Sequence, residues 1–267
     1  MRNLSEAIKH ITMKGEVRVW KKTEIVRHID DGANFYLRVL GNAEHMEYSD
    51  NNYYSMIRPK AGQQGVTSAF NLRLEHLPEQ EWKEKVDEIK KMNLHTWWGL
   101  GLPERMMEAV FGDNKPLPAT EDNDEEGYMA MLPEDKPEYG VAGITVRSVC
   151  NAHDFKLWAD ISNEILHGGY PVMHPGNHYH LCESGIMPCY IAYDNGEAAS
   201  VCSVIHNKDI ASLEFVCTLE KYRNKGLARA VCVTAIEEAF SHGAKIITLR
   251  AFPEAKKLYL NMGFKLY

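Results

Sequence analysis

The sequence predicts a mixed α/β (α+β) fold, with a mostly antiparallel central sheet flanked by helices and two such halves in tandem. Three observations carry that expectation. Residues 189–206 read as two strands around the turn Asp194-Asn195-Gly196; residues 210–250 read as strand, basic turn, helix and strand; and residues 66–111 repeat the strand and helix order ahead of a charged, proline-containing linker at 133–140. Alternating β-branched and aromatic residues mark the strands, and apolar side chains three and four apart mark the helices.

A chain of 267 residues can bury one large core or two of ordinary size. Its 45% apolar and 25% charged residues are those of a soluble globular protein. The formal charge of -7 gives no general electrostatic reason to bind nucleic acid or an anionic membrane, although residues 221–229 form a local basic patch. No apolar run approaches the ~20 residues of a membrane helix, and the opening residues do not resemble a secretion signal, so a cytosolic (cytoplasmic) protein is expected. Cys150, Cys182, Cys189, Cys202, Cys217 and Cys232 show no Cys-x-x-Cys spacing and are expected to be reduced core residues.

In chain order, residues 4–13 and 17–40 have helix-like spacing interrupted by Gly15 and Gly32, and predict helices. Residues 53–58 predict a short strand, 66–74 a second, and 78–92 an amphipathic helix with Trp82, Val86 and Ile89 inward. Residues 94–98 predict a strand, and 103–111 a helix with proline in its first turn. Trp97 and Trp98 could wall a substrate pocket, but packing is the expectation, since paired aromatics bury large area wherever they occur. Residues 114–126 read as an acidic loop and 127–132 as a strand. The linker at 133–140 then divides the chain into domains at 1–135 and 141–267.

Beyond the linker, residues 141–149 predict a strand and 154–166 a helix introduced by Asn151, with Phe155, Trp158, Ile161 and Ile165 on one face and Gly168-Gly169 at its end. His174, His178 and His180, with Tyr179 and Cys182, are the densest group of candidate metal ligands. They read as part of a Pro/Gly loop with no carboxylate at a typical interval, so no metal is expected. Asn195-Gly196 supplies the positive φ angles of a tight hairpin turn.

The turn after the strand 210–218 carries the chemistry. Arg223, Asn224, Lys225, Gly226, Leu227 and Ala228 open a helix continued by Val231, Val233, Ile236 and Phe240. Free backbone N–H groups, a glycine, nearby cations and the helix dipole all favour a phosphate or pyrophosphate there. Neither Gly-x-x-x-x-Gly-Lys-Ser/Thr nor Gly-x-Gly-x-x-Gly is present. The turn instead resembles the Arg/Gln-x-x-Gly-x-Gly/Ala signature of the GNAT acyltransferases. Residues 255–264, Ala-Lys-Lys-Leu-Tyr-Leu-Asn-Met-Gly-Phe, resemble that family's closing Ala-x-x-Leu-Tyr-x-x-x-Gly-Phe segment. The resemblance covers roughly residues 144–267, with specific motifs only after 210.

That resemblance implies a GNAT fold and acetyl-CoA as cosubstrate, with no metal. It implies pyrophosphate contacts from the backbone of Asn224, Lys225, Gly226, Leu227 and Ala228, with Arg223 and Arg229 adding charge, and a pantetheine arm paired with Val216, Cys217 and Thr218. Tyr259 matches the family tyrosine near the thioester sulfur and would protonate the departing thiolate. Glu214 shares a strand face with Val216 and Thr218, and is either the general base or the partner of a cation in the sheet, with a water chain as the alternative to it as base. Phe252 replaces an asparagine common in the family, which puts a cofactor contact there in doubt. The N-terminal half, with the acidic turn 75–82 in place of the basic one, would be a degenerate copy without cofactor. The expected activity is acetyl transfer to a primary amine of a small molecule or peptide by direct attack in a ternary complex. The alternatives are a CoA-binding sensor without turnover and a purely structural tandem domain. The short final strand is completed either by the other half or by another subunit, which leaves a homodimer open.

Overall fold

Strands β10 (Ile210–Thr218) and β11 (Ile246–Ala251) lie at the centre of a seven-stranded sheet, and the helix between them covers one face. The computed structural model describes residues 7–11, 17–92, 106, 127–137 and 143–267, and the expected elements at 94–98, 103–111 and 114–126, apart from Met106, lie outside them. In chain order the remaining elements are β1 (Ala7–Ile11), β2 (Val17–Lys21), α1 (Lys22–Gly41), β3 (Met46–Asp50), β4 (Ser55–Pro59), β5 (Ser68–Phe70), α2 (Glu79–Lys91) and β6 (Gly127–Met131). There follow β7 (Thr145–Ser148), α3 (Ala152–His167), α4 (Pro175–Glu183), β8 (Cys189–Asp194), β9 (Glu197–Asn207), α5 (Leu227–Ser241), α6 (Lys256–Leu260) and β12 (Lys265–Leu266). The sheet order is β12-β6-β11-β10-β9-β8-β7, and β10 with β11 is its parallel pair. The rest is antiparallel, as the sequence suggested.

Local chemistry explains the boundaries. Asn151 accepts the amide of Asp154 at 2.9 Å to start α3, and Gly168, left-handed at φ 59°, ends it. Asn195 (φ 51°) and Gly196 (φ 87°) make the tight turn between β8 and β9. Trp158 on α3 donates its indole N–H to the Cys202 carbonyl at 2.9 Å, fixing the helix on the sheet.

Several expectations are corrected. Residues 7–11 and 17–21 are paired antiparallel strands, and the helix expected from Val17 starts only at Lys22. Val17-Arg-Val-Trp-Lys carries two β-branched residues and an aromatic within strand length, residue types that favour a strand. The strand expected over 66–74 is confined to Ser68–Phe70, because Asn71 turns left-handed at φ 50°. β3 was not foreseen; its polar, mostly exposed residues carry little pattern. The segment containing His178 and His180 is helix α4, not a loop. Pro175 occupies the first turn, where its missing N–H costs nothing, and the His174 imidazole accepts the Gly176 amide at 3.2 Å.

The N-terminal part is built into the C-terminal sheet. β6, on the N-terminal side of the linker expected at 133–140, pairs with β11 and with β12, so the short final strand is completed from residues ahead of that expected boundary. Leu37 and Leu40 of α1, with Ile57 and Phe70, share one buried cluster with Phe155, Trp158, Val201 and Cys217. On the opposite face α5 packs Leu227, Val231 and Ile236 against Leu213, Ile247 and Leu249. Among the described residues no helix is long and apolar enough to cross a membrane.

The join between β6 and the end of the chain is sterically tight. A Cβ on Gly263, which has φ 104°, would lie 2.2 Å from the Asp135 carbonyl oxygen. Gly263→Ala is therefore expected to lose about 1–3 kcal/mol and to lower Tm by at least about 2 °C in a thermal scan. An unchanged Tm would mean that the Asp135 carbonyl moves aside.

Candidate active site

The site is a fork in the sheet. β10 and β11 are in register from Ile210↔Ile246 to Ser212↔Thr248 and have no register partners beyond it. On its other edge β10 stays paired with β9, but with a bulge between Glu214 and Cys217 in which Phe215 takes φ 54°. The extra residue bends β10 away from β11 and turns its side chains at the break. Ser200 fixes the far end: its hydroxyl donates to the Cys217 carbonyl at 2.7 Å and lies 2.8 Å from the Thr218 hydroxyl. Among the described residues, 213–218 thus have no strand partner on the edge towards β11, the arrangement to which an extended ligand can add.

Two cavities meet at this fork. The first, about 520 Å³, is lined by Val216, Cys217 and Thr218 from the strand and by Arg223, Asn224, Gly226, Leu227, Ala228 and Arg229 from the turn. The second, about 250 Å³, is lined by Glu214, Arg250, His167 and Tyr259 among apolar walls that include Leu213 and Phe215. Leu166, Val216, Phe252 and Ala255 belong to both.

The turn is shaped for an anion. Asn224 (φ 62°) and Gly226 (φ 81°) are both left-handed, and no side chain caps the start of α5. Its first-turn amides therefore have no side-chain partner, and left-handed residues alternating through a turn aim successive N–H groups into one concavity. The cations divide. Lys225 forms an ion pair with Asp194 at 2.7 Å and is not on the cavity wall, and Arg229 donates to the Asn261 carbonyl at 3.0 Å while lining the cleft. Arg223 lines the cleft from an exposed position.

In the second cavity burial raises the carboxyl pKa of Glu214, opposed by the nearby Arg250 guanidinium and by the Ser212 hydroxyl, which donates to it at 2.6 Å. Both readings of Glu214 thus meet in one place: it faces the cavity and neighbours a cation. Tyr259 is 6% exposed, and burial holds its phenol well above the ordinary value, so it stays protonated. Burial also pushes the Cys217 thiol up to about 12.

Arg250 and His167 were missed in the sequence, as was the support from α1. The recoverable signal for Arg250 is register, since continuing Ser212↔Thr248 by two residues sets 250 beside 214. Tyr36 of α1 packs on Phe215 with ring centroids 5.6 Å apart. Its hydroxyl lies 2.9 Å from Nε2 of His178, whose Nδ1 donates to the His174 carbonyl at 3.0 Å. Burial pushes the His178 pKa down to about 4, so the imidazole is neutral and structural. Among the described residues no group of three or more His, Cys, Asp or Glu is arranged to hold a metal.

Residues 156–264 match the profile of a family described as the acetyltransferase (GNAT) family. No curated protein sequence matches the chain. Among solved structures, a GCN5-related N-acetyltransferase from Kribbella flavida is 15% identical with a TM-score of 0.58, over 88% of this chain and 91% of that one. A functionally unknown conserved protein from Staphylococcus epidermidis is 12% identical with a TM-score of 0.53, over 88% and 93%. At such identities the likeness is one of fold, and it extends over the N-terminal part as well.

The division of the cations gives a direct test by calorimetry with CoA. Lys225→Ala is expected to leave Kd within about threefold, because a solvated ammonium already paired with Asp194 adds little. Gly226→Ala, which puts a side chain at φ 81°, is expected to weaken binding at least tenfold. Equal losses in the two variants would mean that the side-chain charge, not the backbone, holds the ligand.

Proposed function

We propose, from the match of residues 156–264 to the acetyltransferase (GNAT) family and the acetyl-CoA cosubstrate that such a match implies, that the protein acetylates a primary amine of a small molecule or peptide by direct attack in a ternary complex. The observation that carries the proposal is the continuity of the two cavities through Val216 and Phe252, one shaped for an anion and the other holding a carboxylate and a phenol.

The residues fit the cosubstrate. Amides of Asn224, Lys225, Gly226, Leu227 and Ala228 would hold the pyrophosphate with Arg223 and Arg229 at its edge, and the free edge of Val216, Cys217 and Thr218 would take the pantetheine. When bound, the cosubstrate supplies an acetyl group activated as a thioester. A backbone N–H of the free edge polarises the carbonyl. Glu214 takes the proton of the incoming ammonium, and its raised pKa makes it a stronger base than an exposed carboxylate. Tyr259, kept protonated by burial, donates to the leaving sulfur.

Tyr259→Phe is expected to cut the single-turnover rate about 10²-fold or more with CoA affinity nearly intact. Full activity in that variant would remove the acid role, and CoA binding without transfer to any amine would favour a sensor. Because the Glu214 carboxyl must be ionised to act, and burial raises its pKa, kcat/KM is expected to rise with pH along a limb above the ordinary carboxylate range. Glu214→Gln should abolish that limb. A limb that survives the substitution would assign the base elsewhere.

A further inference from the structure

Phe252 is a large apolar side chain that the fold holds in water where the two cavities join. It is 54% exposed, and of the exposed large hydrophobics among the described residues it is the one that lines the cavities of the fork. The exposure does not come from a loose segment. Ala251, the residue before it, is buried and paired with Gly127 of β6. After it Pro253 opens the short turn Pro253–Ala255, and the Phe252 carbonyl accepts the Ala255 amide at 2.9 Å. A residue before proline is confined to extended backbone, the conformation Phe252 has here at ψ 151°. The ring is therefore carried on a fixed backbone, and a ligand that covers it orders little of the protein.

The join is apolar throughout its described lining. Leu166, Val216, Phe252 and Ala255 are the described residues common to both cavities, and none of them is fully buried. Whatever fills the join removes hydrocarbon from water at four side chains. The pantetheine of the cosubstrate is assigned to the free edge of β10, whereas Phe252 follows β11 on the opposite side of the fork, which leaves the ring to the acceptor. In the second cavity the described lining holds one carboxylate, Glu214. A polyamine would find a partner there for one ammonium and leave the next against apolar walls, which is unfavourable.

Resting on the acetyltransferase reading, we propose that the acceptor is a primary amine on a hydrocarbon body, an alkylamine or arylalkylamine, and that Phe252 is the residue that selects it. The amino group reaches Glu214, and the hydrocarbon covers Phe252 and Leu166. In the transfer, Glu214 takes one proton from the ammonium and passes it to solvent. The neutral nitrogen bonds to the acetyl carbon as the carbon–sulfur bond breaks. Tyr259 protonates the sulfur and regains the proton that the nitrogen sheds. The products are an N-alkylacetamide and the free thiol of CoA.

The test compares hexylamine, 5-amino-1-pentanol and 1,5-diaminopentane, which have the same length and end in a methyl, a hydroxyl and an ammonium group. Acetyl transfer by the full chain is read by rate, and CoA binding by calorimetry. Hexylamine is expected to be acetylated with kcat/KM about tenfold or more above the other two, because only its far end loses no hydration on entering the join. Phe252→Ala should raise KM for hexylamine about tenfold and leave KM for the alcohol, kcat and the Kd for CoA within about threefold, while Phe252→Leu keeps most of the preference. A ring that merely supported the fold would move all three amines together. If Phe252→Ala instead weakens CoA and leaves the preference among amines intact, the ring belongs to the cosubstrate and the assignment is overturned. If the unaltered chain uses the alcohol or the diamine as well as hexylamine, the assignment is overturned and acetyl transfer stands. The same holds if none of the three is acetylated while acetyl-CoA loses its acetyl group to water. If CoA binds and neither transfer nor hydrolysis occurs, the assignment is overturned together with the enzymatic reading.

Discussion

β10 and β11 are parallel neighbours only as far as Ser212 and Thr248, and everything at the site depends on their parting there. A sheet that stayed paired would satisfy the edge of residues 213–218 internally and leave no gap where the two cavities meet. The parting is imposed on β10 alone. Its other edge is held to β9 on both sides of a bulge, so the extra residue, with Phe215 at φ 54°, swings the strand outward. A left-handed phenylalanine is strained, and such a residue persists only where its surroundings over-determine it.

Those surroundings come from both parts of the chain, since Tyr36 of α1 and Trp158 of α3 each pack edge-on against Phe215, with ring centroids 5.6 and 5.7 Å away. α1 crosses the face of the sheet that carries Ser212 and Glu214, and it can approach closely because Gly32 has no side chain; a Cβ there would stand 3.4 Å from that of Ser212. Ser212 in turn donates to Glu214. One turn further on, Tyr36 packs on Phe215 and is tied to the buried His178 of α4. β6 supplies both the outer neighbour of β11 and the partner of β12. The N-terminal part thus acts as scaffold for the fork.

What the sequence disclosed followed from how local the cause was. The hairpin at Asn195-Gly196, the cap at Asn151, the stop at Gly168 and the inward Trp82, Val86 and Ile89 were legible because each is decided within a few residues of itself. The turn at Arg223 to Ala228 was legible as a helix start for the same reason, since a left-handed glycine ahead of an uncapped first turn is a local feature. Strand β6 was legible as a strand but not as a member of the C-terminal sheet, because nothing local in Gly127–Met131 names its partners. Arg250 was hidden similarly. Its neighbour Glu214 is 36 positions away and becomes its neighbour only through the parallel register. Pro175 misled because a proline that opens a helix and one that breaks a chain look alike in sequence.

Burial has opposite chemical consequences for the two acids at the fork, and this bears on the route of transfer. Removing water raises the pKa of a carboxylic acid and of a thiol alike, because both are charged when deprotonated. Glu214 starts from a low value, so the same displacement brings it towards neutrality and strengthens it as a base. Cys217 starts from a high one and is carried away from neutrality, to about 12, which at pH 7 leaves roughly one thiol in 10⁵ ionised. It is 2% exposed with its carbonyl held by Ser200, so it has neither the charge nor the freedom to attack a thioester. Burial also raises Cys189 and Cys202 well above their ordinary values. A dry fork that strengthens a carboxylate as a base and disables the Cys217 thiol agrees with the proposed direct attack by an amine better than with a route through an acylated cysteine.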